Sequence, residues 1–340
     1  MKHAFAIACG MTALAACSDR PRDEDLDGWR REAASANQAA LAAAQRGAAD
    51  EPGHTLTISG QTRTGRLVLG WDELEKMSTT HVKTTSPQDP AHAGRVTDFR
   101  GVLVRDVLDR AGADDAASEL TFVSIDAFRA PVAIADVRRF RTLLAIEADG
   151  KPIARAEGGP IFLVHPHSES PETITLYPDR YWSFYVTDII VGTEPARLRV
   201  MDKTLDAATL ETLPQITWTG VVKYKSYWPS DPVRLRGVRL RDALRAANVG
   251  VPAGGSVVVR GKAAIQRDPR DPRRISAADV DRCDFLLATH WAAPDGSGEQ
   301  PIPARLGGPL TLAVPDACAS SYDDHFWMTF VEELAPEQAP

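Results

Sequence analysis

Much of the segment from Ala135 to Trp182 is written a second time near the C-terminus, and this repetition limits the possible folds more than any other feature of the chain. Asp136-Val137, Leu143-Leu144-Ala145, Lys151-Pro152-Ile153, Gly158-Gly159-Pro160 and Tyr181-Trp182 return in the same order as Asp279-Val280, Leu286-Leu287-Ala288, Gln300-Pro301-Ile302, Gly307-Gly308-Pro309 and Phe326-Trp327. Upstream, Arg100-Gly101-Val102 and Arg105-Asp106-Val107-Leu108 return as Arg236-Gly237-Val238 and Arg241-Asp242-Ala243-Leu244. The spacing between partners drifts, as insertions and deletions in loops make it drift. Two domains of about 140 residues each therefore fill most of the chain, within the usual size of a domain. The period is too long, and two copies too few, for a solenoid. The domains are expected at residues 53–195 and 196–336.

Residues 1–17 read as a lipoprotein signal: the apolar run after Lys2 and His3 is too short to span a bilayer and suits a secretory leader. Leu14-Ala15-Ala16-Cys17 resembles a bacterial lipobox, which makes Cys17 the lipidated residue; an ordinary signal peptide with an incidental cysteine is the other reading. Ser18 after that cysteine favours the outer membrane, so the expected location is periplasmic and lipid-anchored. Residues 18–52 are rich in Ala, Arg, Asp and Glu with few large apolar residues, a flexible tether with a solvated helix over about residues 27–46. The net charge of -7, with no Lys/Arg block, argues against a nucleic-acid partner. Once Cys9 and Cys17 are set aside, Cys283 and Cys318 remain, and in an oxidising compartment a disulfide is the default.

Within the first domain, Thr55 to Gly60 and Arg66 to Leu69 read as paired strands, and Trp71 to Met77 as a short helix behind an acidic first turn. Val102 to Ala111 reads as a second helix, and Glu119 to Asp126 as an alternating strand. Leu143 to Ala148, Ile161 to Val164 and Trp182 to Val191 complete a mixed sheet. Strands and helices do not alternate strictly, so the expected fold class is α+β.

This order resembles the molybdopterin-binding domain of the sulfite oxidase family. The resemblance rests on Gly101-Val102, Arg105-Asp106-Val107-Leu108, Ser124-Ile125-Asp126-Ala127-Phe128, Leu143-Leu144-Ala145, Gly150-Lys151-Pro152, Gly158-Gly159-Pro160 and Trp182. It implies two sulfite-oxidase-like domains in tandem, with mixed sheets and short helices. In the family's enzymes a cysteine thiolate between the first helix and the Gly-Val segment binds molybdenum, soft sulfur suiting that metal. The interval from His81 to Phe99 holds Thr84, Thr85 and Ser86 but no Cys, and Thr217 to Leu235 holds none either. Two readings follow. One is a non-catalytic pterin-binding protein, a sensor or regulator beside the periplasmic domain of a membrane signalling protein. The other is a divergent molybdopterin-dependent oxidoreductase, and a purely structural module is a third.

A pterin is a flat bicycle with a donor-rich edge, so its pocket needs an aromatic plate, an acceptor and dry walls. In the better-preserved first domain the resemblance and these needs select Trp182 as plate, with Tyr177 and Tyr181 nearby, Asp126 as carboxylate, Arg180 for a polar tail and Gly158-Gly159 as a wall a flat ligand can approach. A pterin or molybdopterin-like ligand without molybdenum is expected. His165-Pro166-His167 reads as a loop lip above that pocket rather than a metal site. In the second domain the aromatic group Trp218, Tyr224, Tyr227 and Trp228 either walls a pocket or packs the core and the domain interface. No nucleophile triad, phosphate loop or CxxC pair is present.

Overall fold

The computed structural model describes residues 28, 30–39, 42, 54–87, 94–222, 227–265 and 271–338. The signal, Cys17, most of the tether and Tyr224 lie outside the described residues. Residues 30–39 form helix α1. It is not wholly solvated, because Ala33 is buried and the Glu32 carboxylate accepts from Arg274 of the second domain at 2.8 and 3.0 Å.

The first domain runs β1 (Thr55–Gly60), β2 (Leu67–Gly70), α2 (Trp71–Met77), β3 (Thr80–Thr85), β4 (Val96–Leu103), α3 (Val104–Ala111), β5 (Glu119–Ser124), β6 (Arg129–Ala133), α4 (Ile134–Arg139), β7 (Leu143–Ala148), β8 (Lys151–Pro152), β9 (Phe162–Val164), α5 (Glu172–Leu176) and β10 (Val186–Val191). Its strands form two sheets rather than the one mixed sheet expected. One has the order β2-β1-β10-β5-β6, and the other the order β3-β4-β7-β8 with β9 also on β7. Only β1 and β10 run parallel in the first of these. The split buries Leu56, Ile58, Leu120 and Phe122 of one sheet against Val102, Leu144 and Leu163 of the other. Helix α3 fills the gap with Val104, Val107, Leu108 and Ala111, a single stripe at helical spacing, and stops at left-handed Gly112.

The second domain repeats the plan with β11 (Arg197–Val200), β12 (Lys203–Asp206), α6 (Ala207–Thr212), β13 (Gln215–Gly220), β14 (Val233–Arg239), α7 (Leu240–Ala246), β15 (Ser256–Gly261), β16 (Arg273–Ser276), α8 (Ala277–Arg282), β17 (Leu286–Ala292), β18 (Glu299–Pro301), β19 (Thr311–Ala313) and β20 (Val331–Glu337). Its sheets are β12-β11-β20-β15-β16 and β13-β14-β17-β18 with β19 on β17. The chain is thus a tandem of mixed α/β domains of one topology.

The repeated glycines mark places where one backbone passes another. A Cβ on Gly101 would lie 2.0 Å from Leu144 O, and one on Gly237 2.0 Å from Leu287 O, in each case beside a bulge in the ladder. The expected alternation of β5 fails for a physical reason: Val123, on its outer face, is covered along with Ile190 by Ala304 and Phe330 of the second domain. Further contacts join the domains. Ala264 N and Ile265 N donate to Ile125 O at 2.8 and 3.1 Å, Tyr227 Oη donates to Arg129 O at 3.2 Å, and Lys262 Nζ lies 3.4 Å from Asp188 Oδ1.

Candidate functional site

In the first domain the residues expected to hold a ligand are engaged with one another. Residues 179–181 make a 3-10 turn, so Trp182 precedes the last strand instead of lying in it and turns inward, 1% exposed. Its indole N–H donates to His167 Nε2 at 3.1 Å, and the rings of Phe162, His165 and His167 stand 5.5, 5.9 and 5.1 Å from it. An aromatic plate needs a free face, and Trp182 is core. His167 Nδ1 then donates to Thr173 Oγ1 at 2.9 Å, and Thr173 Oγ1 donates to Ser170 O at 2.7 Å. Every proton in this chain has a fixed direction, which requires a neutral His167, and burial lowers its pKa accordingly. His165 is fully buried, stacked 4.7 Å above Tyr177, with Nε2 3.3 Å from Tyr181 O. Its Nδ1 has no partner, and burial pushes its pKa down to about 3. The two histidines are core, not a lip.

The other expected residues are likewise occupied. Tyr177 Oη donates to Asp136 Oδ2. Tyr181 packs its ring edge-on to Tyr177 at 5.6 Å. Asp126 Oδ1 accepts from Phe128 N at 3.0 Å, the bond of an Asx turn between β5 and β6. Arg180 is exposed, with its guanidinium 4.9 Å from the Tyr181 ring. The glycines serve the chain rather than a ligand: a Cβ on Gly158 would meet the Phe184 ring at 2.2 Å, and one on Gly159 would meet Ile153 O at 1.9 Å. Thr84 Oγ1 accepts from Ser168 N and Ser168 Oγ from Thr85 N, each at 3.2 Å, which closes the loop over β3.

The same place in the second domain is open. Matching strand registers put Trp218 where the first domain has Val82, Gly220 where it has Thr84, and Asp316 where it has His167. Trp218, Gly220, Asp316, Tyr322, Asp324 and Trp327 border a cavity of about 150 Å³. Trp218 and Trp327 meet edge to face, with centroids 5.0 Å apart at 69°. The Trp218 indole N–H donates to Asp316 Oδ1 at 3.2 Å. Gly220 makes that ring position possible, since a Cβ there would stand 2.5 Å from Trp218 Cζ2. Asp316 and Asp324 are exposed, and Trp327 is 5% exposed.

Of the aromatic group singled out in the sequence, Trp218 walls this cavity. Tyr227 bonds the first domain, and Trp228 is core against Trp291 at 5.7 Å. The sequence signal for this cavity is the exchange of Val82 and Thr84 for Trp218 and Gly220 between the repeats.

Cys283 and Cys318 are joined in a disulfide, with Cα atoms 6.2 Å apart and both side chains buried. Among the described residues no group of three or more His, Cys, Asp or Glu is placed to hold a metal ion.

Residues 43–172 match the family model of the oxidoreductase molybdopterin binding domain. Among solved structures, the sulfane dehydrogenase SoxCD from Paracoccus pantotrophus is similar over 84% of this chain and 78% of that chain, at 12% sequence identity and a TM-score of 0.33. No curated protein matches. The stretch that matches the oxidoreductase molybdopterin binding domain thus covers most of the first domain, and the second domain repeats the first domain's topology in tandem.

Among the described residues, a molybdopterin with its metal finds no fitting site. The first-domain volume is taken by Trp182, His165 and His167. The second-domain cavity is smaller than the roughly 300–1,000 Å³ of sites for whole cofactors. Its described lining brings carboxylates but neither a cation for a phosphate nor a thiolate.

Proposed function

We propose that this protein binds the ring of a pterin-type ligand without chemical turnover, and that the second domain holds it. One observation carries the reading: the cavity joins two tryptophans and a tyrosine to the carboxylates of Asp316 and Asp324. A pterin presents adjacent ring and amino N–H donors along one edge. A carboxylate accepts from both, while the face of one indole and the edge of the other border the ring. Stacking contributes on the order of 1 kcal/mol beyond buried area, and a charge-assisted hydrogen bond roughly 1.5–3 kcal/mol.

The lipobox and leader in the sequence support a place in the periplasm, tethered by lipid at Cys17 to the outer membrane. A lipid-anchored binding protein without turnover is suited to report ligand to the periplasmic domain of a membrane signalling protein, and a sensor or regulator is the role we assign. The test is titration of the whole mature chain with 6-methylpterin, followed by tryptophan fluorescence and calorimetry. Saturable binding that Trp327→Ala or Asp316→Asn weakens about tenfold is expected. Absence of binding, or binding indifferent to both substitutions, overturns the reading, as does stoichiometric molybdenum in protein isolated from its own cell envelope.

A further inference from the structure

The cavity wall formed by residues 316–322 belongs to a loop, and the two domains hold that loop differently. In both, the helix before the Leu-Leu-Ala strand ends on a residue whose N–H returns to an aspartate. Phe140 N donates to Asp136 O at 2.7 Å, and Cys283 N to Asp279 O at 2.8 Å. In both, a tyrosine from the loop donates to that aspartate's carboxylate, Tyr177 to Asp136 and Tyr322 to Asp279, the latter at 2.7 Å. That tyrosine's own N–H returns to the residue four before it, Tyr177 N to Thr173 O at 2.8 Å and Tyr322 N to Cys318 O at 3.0 Å. Phe140 and Thr173 of the first domain therefore stand where the second has Cys283 and Cys318.

What lies beneath the loop differs in step. In the first domain Thr173 holds His167, which holds Trp182, and the loop rests on a filled interior. In the second domain the loop stands over the cavity. Asp316 and Ala319, either side of the cysteine, and Tyr322 line it. Tyr322 packs on the rings of Phe285 and Phe326 at 5.1 and 4.5 Å, but Val314 and Asp316 stand in place of His165 and His167, so the histidine link from the loop to the tryptophan is missing. A covalent bond to the end of α8 takes its place.

We infer that the Cys283–Cys318 disulfide is the positioning element of the ligand site, holding residues 316–322 so that Asp316 and Tyr322 stay opposite Trp218 and Trp327. The inference rests on the proposed ring-binding function for its affinity consequence only. Its structural consequence, a cavity wall that loosens locally when the bond is gone, stands apart from any ligand.

The experiment compares the whole mature chain with its Cys283→Ala/Cys318→Ala variant. A second pair, Cys283→Phe/Cys318→Thr, copies the first domain's residues should the alanine pair fold poorly. Leu210→Ala, a core truncation in the same domain, controls for general destabilisation. The readouts are 6-methylpterin affinity, well below each variant's unfolding temperature, and backbone hydrogen exchange. Expected for the cysteine variants are an affinity at least tenfold weaker and exchange at least tenfold faster, confined to residues 316–322, while Leu210→Ala binds like wild type. Unchanged affinity with unchanged exchange, or an affinity loss that Leu210→Ala reproduces, overturns the inference. If wild type itself binds no 6-methylpterin, the functional reading fails, and exchange alone decides: faster exchange limited to 316–322 upholds the positioning role, and exchange spread over the whole domain or unchanged refutes it.

Discussion

Trp182 and Trp327 stand at matching points of the two domains, just ahead of the last strand, yet Trp327 borders a cavity and Trp182 lies 1% exposed among packed rings. Around Trp182 the first domain has packed His165, His167 and Phe162 and has latched Thr84 to Ser168. Around Trp327 the second has placed Trp218, Gly220 and Asp316, and the interior stays open. In the first domain the Trp182 N–H is met by an imidazole nitrogen, and in the second it is the Trp218 N–H that is met by a carboxylate oxygen. The difference teaches that resemblance to a family and retention of its pocket need not travel together. The copy whose sequence kept more of the family pattern is the one whose interior is closed.

The comparison is broken most directly at Trp182. If it is core, Trp182→Ala removes a fully buried indole and leaves Trp182's partner His167 without its donor. A loss of about 3–5 kcal/mol is expected for such a truncation. Denaturant unfolding, with calorimetry to resolve the two domains, should show the first-domain transition moved by that amount. 6-Methylpterin affinity should stay at the wild-type value. A stable variant with lost affinity would return the binding site to the first domain.

Acid sharpens the same contrast. Burial lowers the folded-state pKa of both His165 and His167. Below about pH 6.5 the unfolded chain therefore binds more protons than the folded one. Stability contributed by keeping these imidazoles neutral is complete above that pH and is lost as pH falls toward about 3, the value for His165. The expected slope is up to about 1.4 kcal/mol per pH unit for each histidine. Val314 and Asp316 occupy these places in the second domain, where His290, partly exposed, is shifted the same way by burial. Thermal unfolding at pH 7 and pH 4.5 should move the first-domain midpoint more than the second, and His165→Met should reduce the difference. Equal movement of both midpoints would show that the buried histidines do not govern acid stability.

Much of this architecture was legible in the chain because repetition and periodicity depend on backbone needs that sequence records well. Gly101 and Gly237, and Gly159 and Gly308, mark close backbone approaches that a Cβ would break, and the stripe of α3 marks a buried helix face by its spacing. The site was less legible, because it is decided by which side chain fills a volume, and that depends on residues distant in sequence. His167 reads as a loop histidine until Trp182 is seen to bond it. Asp126 reads as an available carboxylate until its own turn is seen to use it. Burial of β5 on both faces could not be read from one domain, since the cover comes from Ala304 and Phe330 of the other.

Gly220 offers a narrower test on the open side. In Gly220→Ala the new Cβ would meet Trp218 Cζ2, so the indole must move from its place against Trp327 and Asp316. A loss of roughly 1–2 kcal/mol in 6-methylpterin affinity follows from forfeiting one stacking partner and misplacing an acceptor. Global stability should change little, because Gly220 ends an edge strand. Thr84→Gly in the first domain, the reverse exchange, should not create binding while His167 and Trp182 fill the interior.

The smallest expected effect separates ring from hydrogen bond within one side chain. Trp218→Phe keeps an aromatic ring near Trp327 but removes the indole N–H that holds Asp316. Asp316 is exposed, so water satisfies the freed carboxylate and stability should fall by no more than about 0.5–1 kcal/mol. For the ligand two terms oppose: some stacking area is lost, while the carboxylate is released from competition with the indole and can accept from the ring's donor edge undivided. If Trp218 acts chiefly as a plate, affinity falls about threefold. If its bond to Asp316 orients the acceptor, the fall approaches the tenfold expected for Asp316→Asn, and the double variant is then no worse than Asp316→Asn alone. A double-mutant cycle on 6-methylpterin affinity measures this coupling directly. A coupling of zero, with both single losses present, would mean that the tryptophan and the aspartate meet the ligand independently and that the 3.2 Å contact between them has no part in recognition.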